Sequence, residues 1–323
     1  MTARKPVCLD TFSCASGTGK GYEMAGYEVY AIDNDPKPLQ VNPFPSLCAD
    51  AMECFATLLS GGSLTFSDGR VLTLADIDLI HASPPCQGYS IMNNLPWLRE
   101  RVYPLLILPV RELLIATGKP YVIENVAGAR FGAKGLIKRG LQEHGLKAGW
   151  LCGGMFGLPI YRHRYFETNF FWPMPGHPKH RRVIREGREI GSRARDVTFW
   201  PKPRGIWEQG YEEKLPGKSE QASKRPASHL PTVDTRKRPH LSERLPGTNG
   251  NIDKFAPGHT AGWRIAADAM GISWMRRAEL TQAVPPMMTY WIAHHLMVEL
   301  GYAKGPCRID LQGRGLLTQG EQP

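Results

Sequence analysis

The run His81-Ala82-Ser83-Pro84-Pro85-Cys86-Gln87 leaves this chain few ways to fold. Ahead of it, Ile77 to Ile80 is apolar except for Asp78 and reads as a buried strand. Two consecutive prolines then fix φ twice and remove two backbone donors, so the strand must stop and the loop after it is stiff. Strand ends of this kind are where open α/β sheets bind ligands. A cysteine presented rigidly at such an edge suits nucleophilic catalysis, while a small hydrophobe packed at a strand end is the competing reading.

The N-terminal stretch supplies the rest of such a sheet. Val7-Cys8-Leu9 leads into Asp10-Thr11-Phe12, followed by the glycine-bearing turn Ser13 to Gly21 and a short helix around Tyr22 and Met24 that closes at Gly26. Strand, glycine turn and helix open a Rossmann-like unit, in which backbone N–H groups can approach a ligand closely. Gly17-Thr18-Gly19-Lys20-Gly21 looks like a phosphate loop, but no Ser or Thr follows Lys20, which excludes a nucleoside-triphosphatase. Val29 to Ile32 is a second strand ending in Asp33-Asn34-Asp35-Pro36, and Cys48-Ala49-Asp50 is a further acidic loop. A carboxylate at the second strand's end commonly receives ribose hydroxyls; turn and cap duty is the alternative for each aspartate.

Farther along, Leu98 to Thr117 reads as a helix, with Pro104 in its first turn and a break expected at Pro109. Lys119 to Val126 is a β-branched strand whose end carries Glu124-Asn125, a costly place for a carboxylate without a partner or a task. A helix is expected over Gly135 to Leu146. Arg162 and Arg164 flank His163 on an extended segment and so face the same way. Helices are expected over Ala266 to Met275, Arg277 to Gln282 and Met288 to Leu300.

Net charge is +10, and its distribution matters more than its size. Between Gly176 and Leu245 there are 17 Lys/Arg against 9 Asp/Glu, with Phe199, Trp200, Trp207 and Tyr211 interleaved. That mixture suits a loop-rich nucleic-acid surface, a solvated basic linker being the plainer alternative. The seven cysteines, odd in number and widely spaced, argue against a disulfide framework, and no C-x-x-C pair suggests zinc. No apolar run is long enough to span a bilayer. A cytoplasmic protein is expected, in a bacterial or phage-infected cell, with no membrane partner and no metal.

Taken together, D-T-F at 10–12, I-D-N-D at 32–35, P-P-C-Q at 84–87, E-N-V at 124–126, R-H-R at 162–164 and Q-A-V-P-P at 282–286 make the chain resemble the DNA cytosine-5 methyltransferases, short phage-type or orphan ones in particular. The resemblance implies an α/β Rossmann-like fold, with a catalytic domain over 1–168 and 262–302, a small irregular target-recognition region over 169–261, and a tail over 303–323. It implies S-adenosylmethionine as cofactor, S-adenosylhomocysteine as product, double-stranded DNA as partner, and action as a monomer. Cys86 would attack carbon 6 of a flipped cytosine, its thiol pKa lowered by nearby positive charge or amide dipoles. Glu124 would hold ring nitrogen 3, Asn125 would fix the loop, and Arg162 and Arg164 would steady the ring oxygen, Glu124 and a phosphate.

By the same resemblance, Phe12 would stack near the adenine, and Ser13, Cys14, Ala15 and Gly17 would line the methionine. Asp33 and Asn34 would take the ribose, Asp50 and Ala51 the adenine edge, and Pro85 and Gln282 would complete the wall. Three departures stand out. The family usually has Gly where Cys14 and Ser16 stand, Gln where Ile160 stands, and Gly-Asn where Thr281-Gln282 stand. Two other functions stay open at this point: methylation of transfer RNA, and a catalytically silent DNA-binding protein of the same fold. A dinucleotide-dependent oxidoreductase has no need of P-C-Q together with E-N-V.

Overall fold

A computed structural model describes residues 4–89, 103–126, 129, 147–156, 158, 162–177, 183–185, 188–190, 267, 270–303, 309–310 and 315–316. In chain order these carry β1 (Val7–Thr11), α1 (Gly17–Met24), β2 (Glu28–Asp33), α2 (Pro36–Leu39), β3 (Ser46–Cys48), α3 (Ala51–Leu59), the hairpin β4 (Ser63–Thr65) and β5 (Val71–Thr73), and β6 (Leu79–Ala82). Then follow α4 (Ile107–Thr117), β7 (Tyr121–Asn125), β8 (Lys147–Cys152), β9 (His163–Thr168), α5 (Arg277–Gln282) and α6 (Pro286–Glu299). Two short hairpins, Val183–Arg185 with Arg188–Ile190 and Ile309–Asp310 with Gly315–Leu316, complete the described elements.

Seven strands form one sheet in the order β3-β2-β1-β6-β7-β9-β8. The first five are parallel, whereas β9 runs antiparallel to both β7 and β8. Strand alternation sorts the apolar side chains onto two faces. Cys8, Val29, Leu79 and Val122 join one core with Tyr22, Met288, Trp291 and Ile292 from α1 and α6. Leu9, Tyr30, Ile80 and Ile123 join the other with Phe55, Leu58, Val110 and Leu114 from α3 and α4. A sheet buried on both faces explains why its strands read as unbroken apolar runs. This is the expected Rossmann-like layering.

The glycines of the first turn are used for packing. A methyl group on Gly21 would lie 2.1 Å from both the Pro286 carbonyl oxygen and Thr289 Oγ1, so α1 and α6 touch backbone to backbone there. Thr289 Oγ1 donates to the Thr18 carbonyl at 2.8 Å across the same contact. Helix α1 begins inside the glycine turn at Gly17 and reaches Met24, and Gly26 (φ 104°) reverses the chain after it.

The helix expected from Leu98 starts only at Ile107, because residues 103–106 are not helical. Pro109 therefore sits in the first turn, where a missing N–H costs nothing, and no break occurs there. Pro104 precedes the helix. The expected helix over Gly135–Leu146 lies outside the described residues, apart from its final boundary with β8, as does most of 169–261. The first described part of that region, 169–177, packs against the core: Phe170 and Trp172 are buried, and Trp291 Nε1 donates to the Pro173 carbonyl at 2.7 Å. Among the described residues no helix is long and apolar enough to cross a membrane.

Candidate active site

The strand order reverses between β1 and β6, and at such a switch point the carboxyl ends of an open α/β sheet frame a ligand crevice. The loops after β1, β2, β3, β6 and β7 all emerge on this edge. Because β9 is antiparallel, its beginning arrives at the same edge, with Asn125 opposite Tyr165 and Glu124 opposite Phe166. That single reversal brings Arg162 and Arg164 to the carboxylate on β7.

Glu124 is buried and paired with Arg164, Nε to Oε1 at 3.0 Å, and it also accepts a hydrogen bond from the Ser83 side chain. Burial nonetheless keeps its carboxyl above the usual range, against the pull of Arg164, Ser83 and Arg162. Asn125 Nδ2 donates to the Pro84 carbonyl at 2.9 Å, which ties the end of β7 to the proline loop. Cys86 is half-buried on that loop, within electrostatic reach of Arg164, Glu124 and Arg162 together. Here the sequence expectation is corrected. Burial outweighs the arginines and raises the Cys86 thiol above its ordinary value, with Glu124 adding to the rise. Arg162 is fully enclosed. Its Nη2 donates to the Thr281 carbonyl at 2.6 Å, while its Nε–H is buried without a hydrogen-bond partner among the described residues.

A second row of polar contacts stands behind Glu124 that the sequence reading did not include. Tyr22 Oη lies 2.7 Å from His81 Nδ1, and His81 Nε2 lies 2.8 Å from Ser83 Oγ, which continues to Glu124. Burial drives the His81 pKa down to about 3, so the ring is neutral at ordinary pH. Nothing in the spacing of 22, 81 and 124 marks this chain of contacts, because it joins helix α1 to the neighbouring strands β6 and β7.

The loop after β1 holds three non-glycine residues at positive φ: Phe12 (54°), Cys14 (50°) and Ser16 (50°). Cys14 and Ser16, the two positions where the family usually has Gly, thus keep a backbone that favours Gly. The cost is offset by anchors. The Cys14 N–H donates to Asp33 Oδ2 at 2.7 Å, Ser16 Oγ to buried Asp10 at 2.9 Å, Asn42 Nδ2 to Ser16 Oγ at 3.0 Å, and Trp274 Nε1 to the Ala15 carbonyl at 2.9 Å. Ser13 N–H reaches the Ile32 carbonyl at 3.0 Å, and the start of α1 at Gly17 fits beneath the Val284 carbonyl.

Asp33 also accepts from the Asp35 N–H at 2.9 Å, so it serves the turn at the end of β2 while standing on the crevice; Asn34 beside it is exposed. Asp50 caps α3 by accepting from the Met52 and Glu53 N–H groups through Oδ1, with Ala51 buried behind it. Phe12, Leu47, Ala49 and Met52, at or beyond the carboxyl ends of β1 and β3, are partly buried apolar groups packed against the second core. An apolar platform flanked by carboxylates is a donor set that fits a purine nucleoside. Pro85 is half-buried next to Cys86, and Gln282 is exposed at the end of α5. Close to Gln282, Glu279 is a carboxylate the sequence reading passed over: it is buried, its Oε2 has no hydrogen-bond partner among the described residues, and its charge is felt at Cys14.

No protein-family model matches the chain. Among curated proteins it is 26% identical over 228 residues to the Type II methyltransferase M.XorII of Xanthomonas oryzae, a match covering 66% of this chain and 51% of that protein. It is 32% identical over 124 residues to the Type II methyltransferase M.DdeI of Desulfomicrobium norvegicum, covering 37% and 28%. It is 25% identical over 199 residues to the DNA (cytosine-5)-methyltransferase PliMCI of Paracentrotus lividus, covering 53% and 12%. The matched part is thus about half of the first relative and less of the others. Among solved structures, S. pombe Dnmt2 methyltransferase aligns over 92% of this chain and 99% of its own at 14% identity, with a TM-score of 0.46. The Entamoeba histolytica methyltransferase EhMeth aligns over the same shares at 12% identity and 0.48.

Proposed function

We propose that this chain methylates carbon 5 of cytosine in double-stranded DNA, with S-adenosylmethionine as methyl donor. The observation that carries the reading is the convergence of Cys86, Glu124, Arg162 and Arg164 on one strand-end crevice, each within the electrostatic field of the next. The named activities of the curated relatives agree with it.

Cytosine carbon 5 is a poor nucleophile. Bond formation between Cys86 sulfur and ring carbon 6 makes the ring an enamine, provided the charge that develops on the ring is neutralised. Glu124, whose carboxyl is held above the usual range by burial, can carry the proton that passes to ring nitrogen 3. The partnerless Nε–H of Arg162 is a donor waiting for an acceptor such as the ring oxygen. Arg164 keeps Glu124 in place. After methyl transfer, loss of the carbon 5 proton expels Cys86 sulfur and restores the aromatic ring. Because the thiol is raised in the resting site, its proton must leave to solvent before attack. The target base must leave the stack to reach the crevice.

The donor molecule supplies an electrophilic methyl group when bound. This chain's part is to hold it: the apolar edge of Phe12, Leu47, Ala49 and Met52 for adenine, Asp33 for ribose hydroxyls, Asp50 at the adenine edge, and the strained Ser13–Gly17 backbone with Pro85 and Gln282 as walls. Glu279, with its unsatisfied oxygen, suits the ammonium of the methionine portion. The basic stretch within 169–261 would provide the target-recognition surface.

Incubation with duplex DNA containing 5-fluorocytosine and S-adenosylmethionine tests this. The expected result is a covalent protein–DNA adduct that Cys86→Ala cannot form, although Cys86→Ala still binds the cofactor. Methyl incorporation by Cys86→Ala would remove Cys86 from the nucleophile role. Labelling of transfer RNA in preference to DNA would overturn the substrate.

A further inference from the structure

On the opposite face of β9 from the two arginines, side-chain alternation puts His163 directly across from Cys152 in the β8–β9 register. His177, from the segment after β9, closes on the pair. One ligand atom from each of Cys152, His163 and His177 lies within 4.8 Å of the other two. We propose that these three side chains bind a zinc ion, at a site distinct from the crevice that holds Cys86.

The two imidazoles share a hydrogen bond, Nε2 to Nε2, whose place a metal ion would take. The two imidazole Nε2 atoms are 3.2 Å apart. Two nitrogens on a tetrahedral zinc, each bonded at about 2.0–2.1 Å, are separated by about 3.4 Å, so the rings already stand at the spacing the ion needs. A thiolate with two neutral imidazoles is a set that selects zinc over calcium or magnesium, which prefer oxygen. Cys152 and His163 are buried, whereas His177 is exposed, which gives the ion an entry path and leaves a fourth position for water. Trp150 packs against both imidazoles, with ring centroids 5.4 and 4.7 Å away, and walls the site with an apolar surface. Binding requires the Cys152 thiol to release its proton to solvent.

The position of the site indicates its task. Cys152 ends β8, His163 begins β9 between Arg162 and Arg164, and His177 stands at the start of the basic stretch. A zinc ion here would staple the base of that stretch to the sheet edge and hold the start of β9 in register. The sequence argument against zinc rested on the lack of a C-x-x-C pair, but a site assembled from a strand pair and a loop needs none.

The test uses the full chain, produced with zinc in the medium and purified without chelators. Elemental analysis should find about one zinc per chain, falling at least fivefold in both Cys152→Ser and His177→Ala. Cobalt exchanged into the wild type should show tetrahedral d–d bands and a thiolate charge-transfer band, the latter missing in Cys152→Ser. His177 is exposed, so His177→Ala should keep a native far-UV circular dichroism spectrum and decides the matter if Cys152→Ser fails to fold. Wild-type protein without zinc and without cobalt bands would overturn the proposal. So would zinc retained in full by both variants. Neither readout depends on methyl transfer, so failure here leaves the proposed activity standing, and the reverse also holds.

Discussion

Replacing Arg164 with Met removes the counter-charge from a carboxylate that cannot reach water. At a separation of 3.0 Å and an effective dielectric constant near 20, the pair's attraction is about 5 kcal/mol. Removing one partner of a buried pair costs about 3–5 kcal/mol, and Arg162 remains to offset part of it, so a loss of about 3 kcal/mol is expected. The loss should depend on pH in a definite direction. Burial already raises the Glu124 pKa, and without Arg164 it rises further. A raised acid binds its proton more tightly in the folded state, so the stability it lends is complete below the unfolded pKa and fades as pH climbs through the folded one. Wild type stops losing stability at the lower folded value, while Arg164→Met continues, at up to about 1.4 kcal/mol per pH unit. The gap should therefore widen as pH rises, read by urea unfolding at pH 5 and pH 8 followed through tryptophan fluorescence. Glu124→Gln added to Arg164→Met should recover most of the pH 8 loss. A gap of equal size at both pH values, or one below about 1 kcal/mol at pH 8, would refute the view that Arg164 holds the Glu124 carboxyl down against the pull of burial.

Asp10 is buried and pushed up to about 7, so the same linkage makes folding less favourable as pH rises from about 4 to 7, by up to about 4 kcal/mol in total, and Asp10→Asn should flatten that part of the stability–pH curve. Gly21→Ala forces a methyl group to within 2.1 Å of the α6 backbone and should cost about 3 kcal/mol or more, seen as a lower urea midpoint. Cys14→Gly should stabilise by about 0.5–1 kcal/mol, since relief of the positive φ exceeds glycine's entropy cost. Ser16→Gly should show no such gain, because it also loses the hydrogen bonds to Asp10 and Asn42. Glu279→Gln should weaken S-adenosylhomocysteine binding about tenfold by calorimetry, and unchanged binding would remove Glu279 from the cofactor site.

What the sequence determined by itself was the sheet and the strand-end edge on which the proposed site lies. Strand-by-strand apolar runs, the proline pair before Cys86 and the acidic ends of the second and seventh strands are local signals, because a strand's burial and its termination are written in adjacent residues. Cys86, Glu124 and the paired arginines were therefore legible in advance as strand-end groups. The direction of the thiol shift was not, since it depends on how deeply the crevice buries sulfur. Nor could the start of α4 be placed, because proline is tolerated at several first-turn positions. Only the tertiary structure joined Tyr22 to His81 and Ser83, set Glu279 beneath the first loop, locked Arg111 of α4 onto Glu167 of β9 at 2.7 Å through both oxygens, and gathered Cys152, His163 and His177. Each of these depends on how strands and helices are ordered and registered, which brings residues from separate elements to within a few ångströms and leaves no periodic trace in the chain.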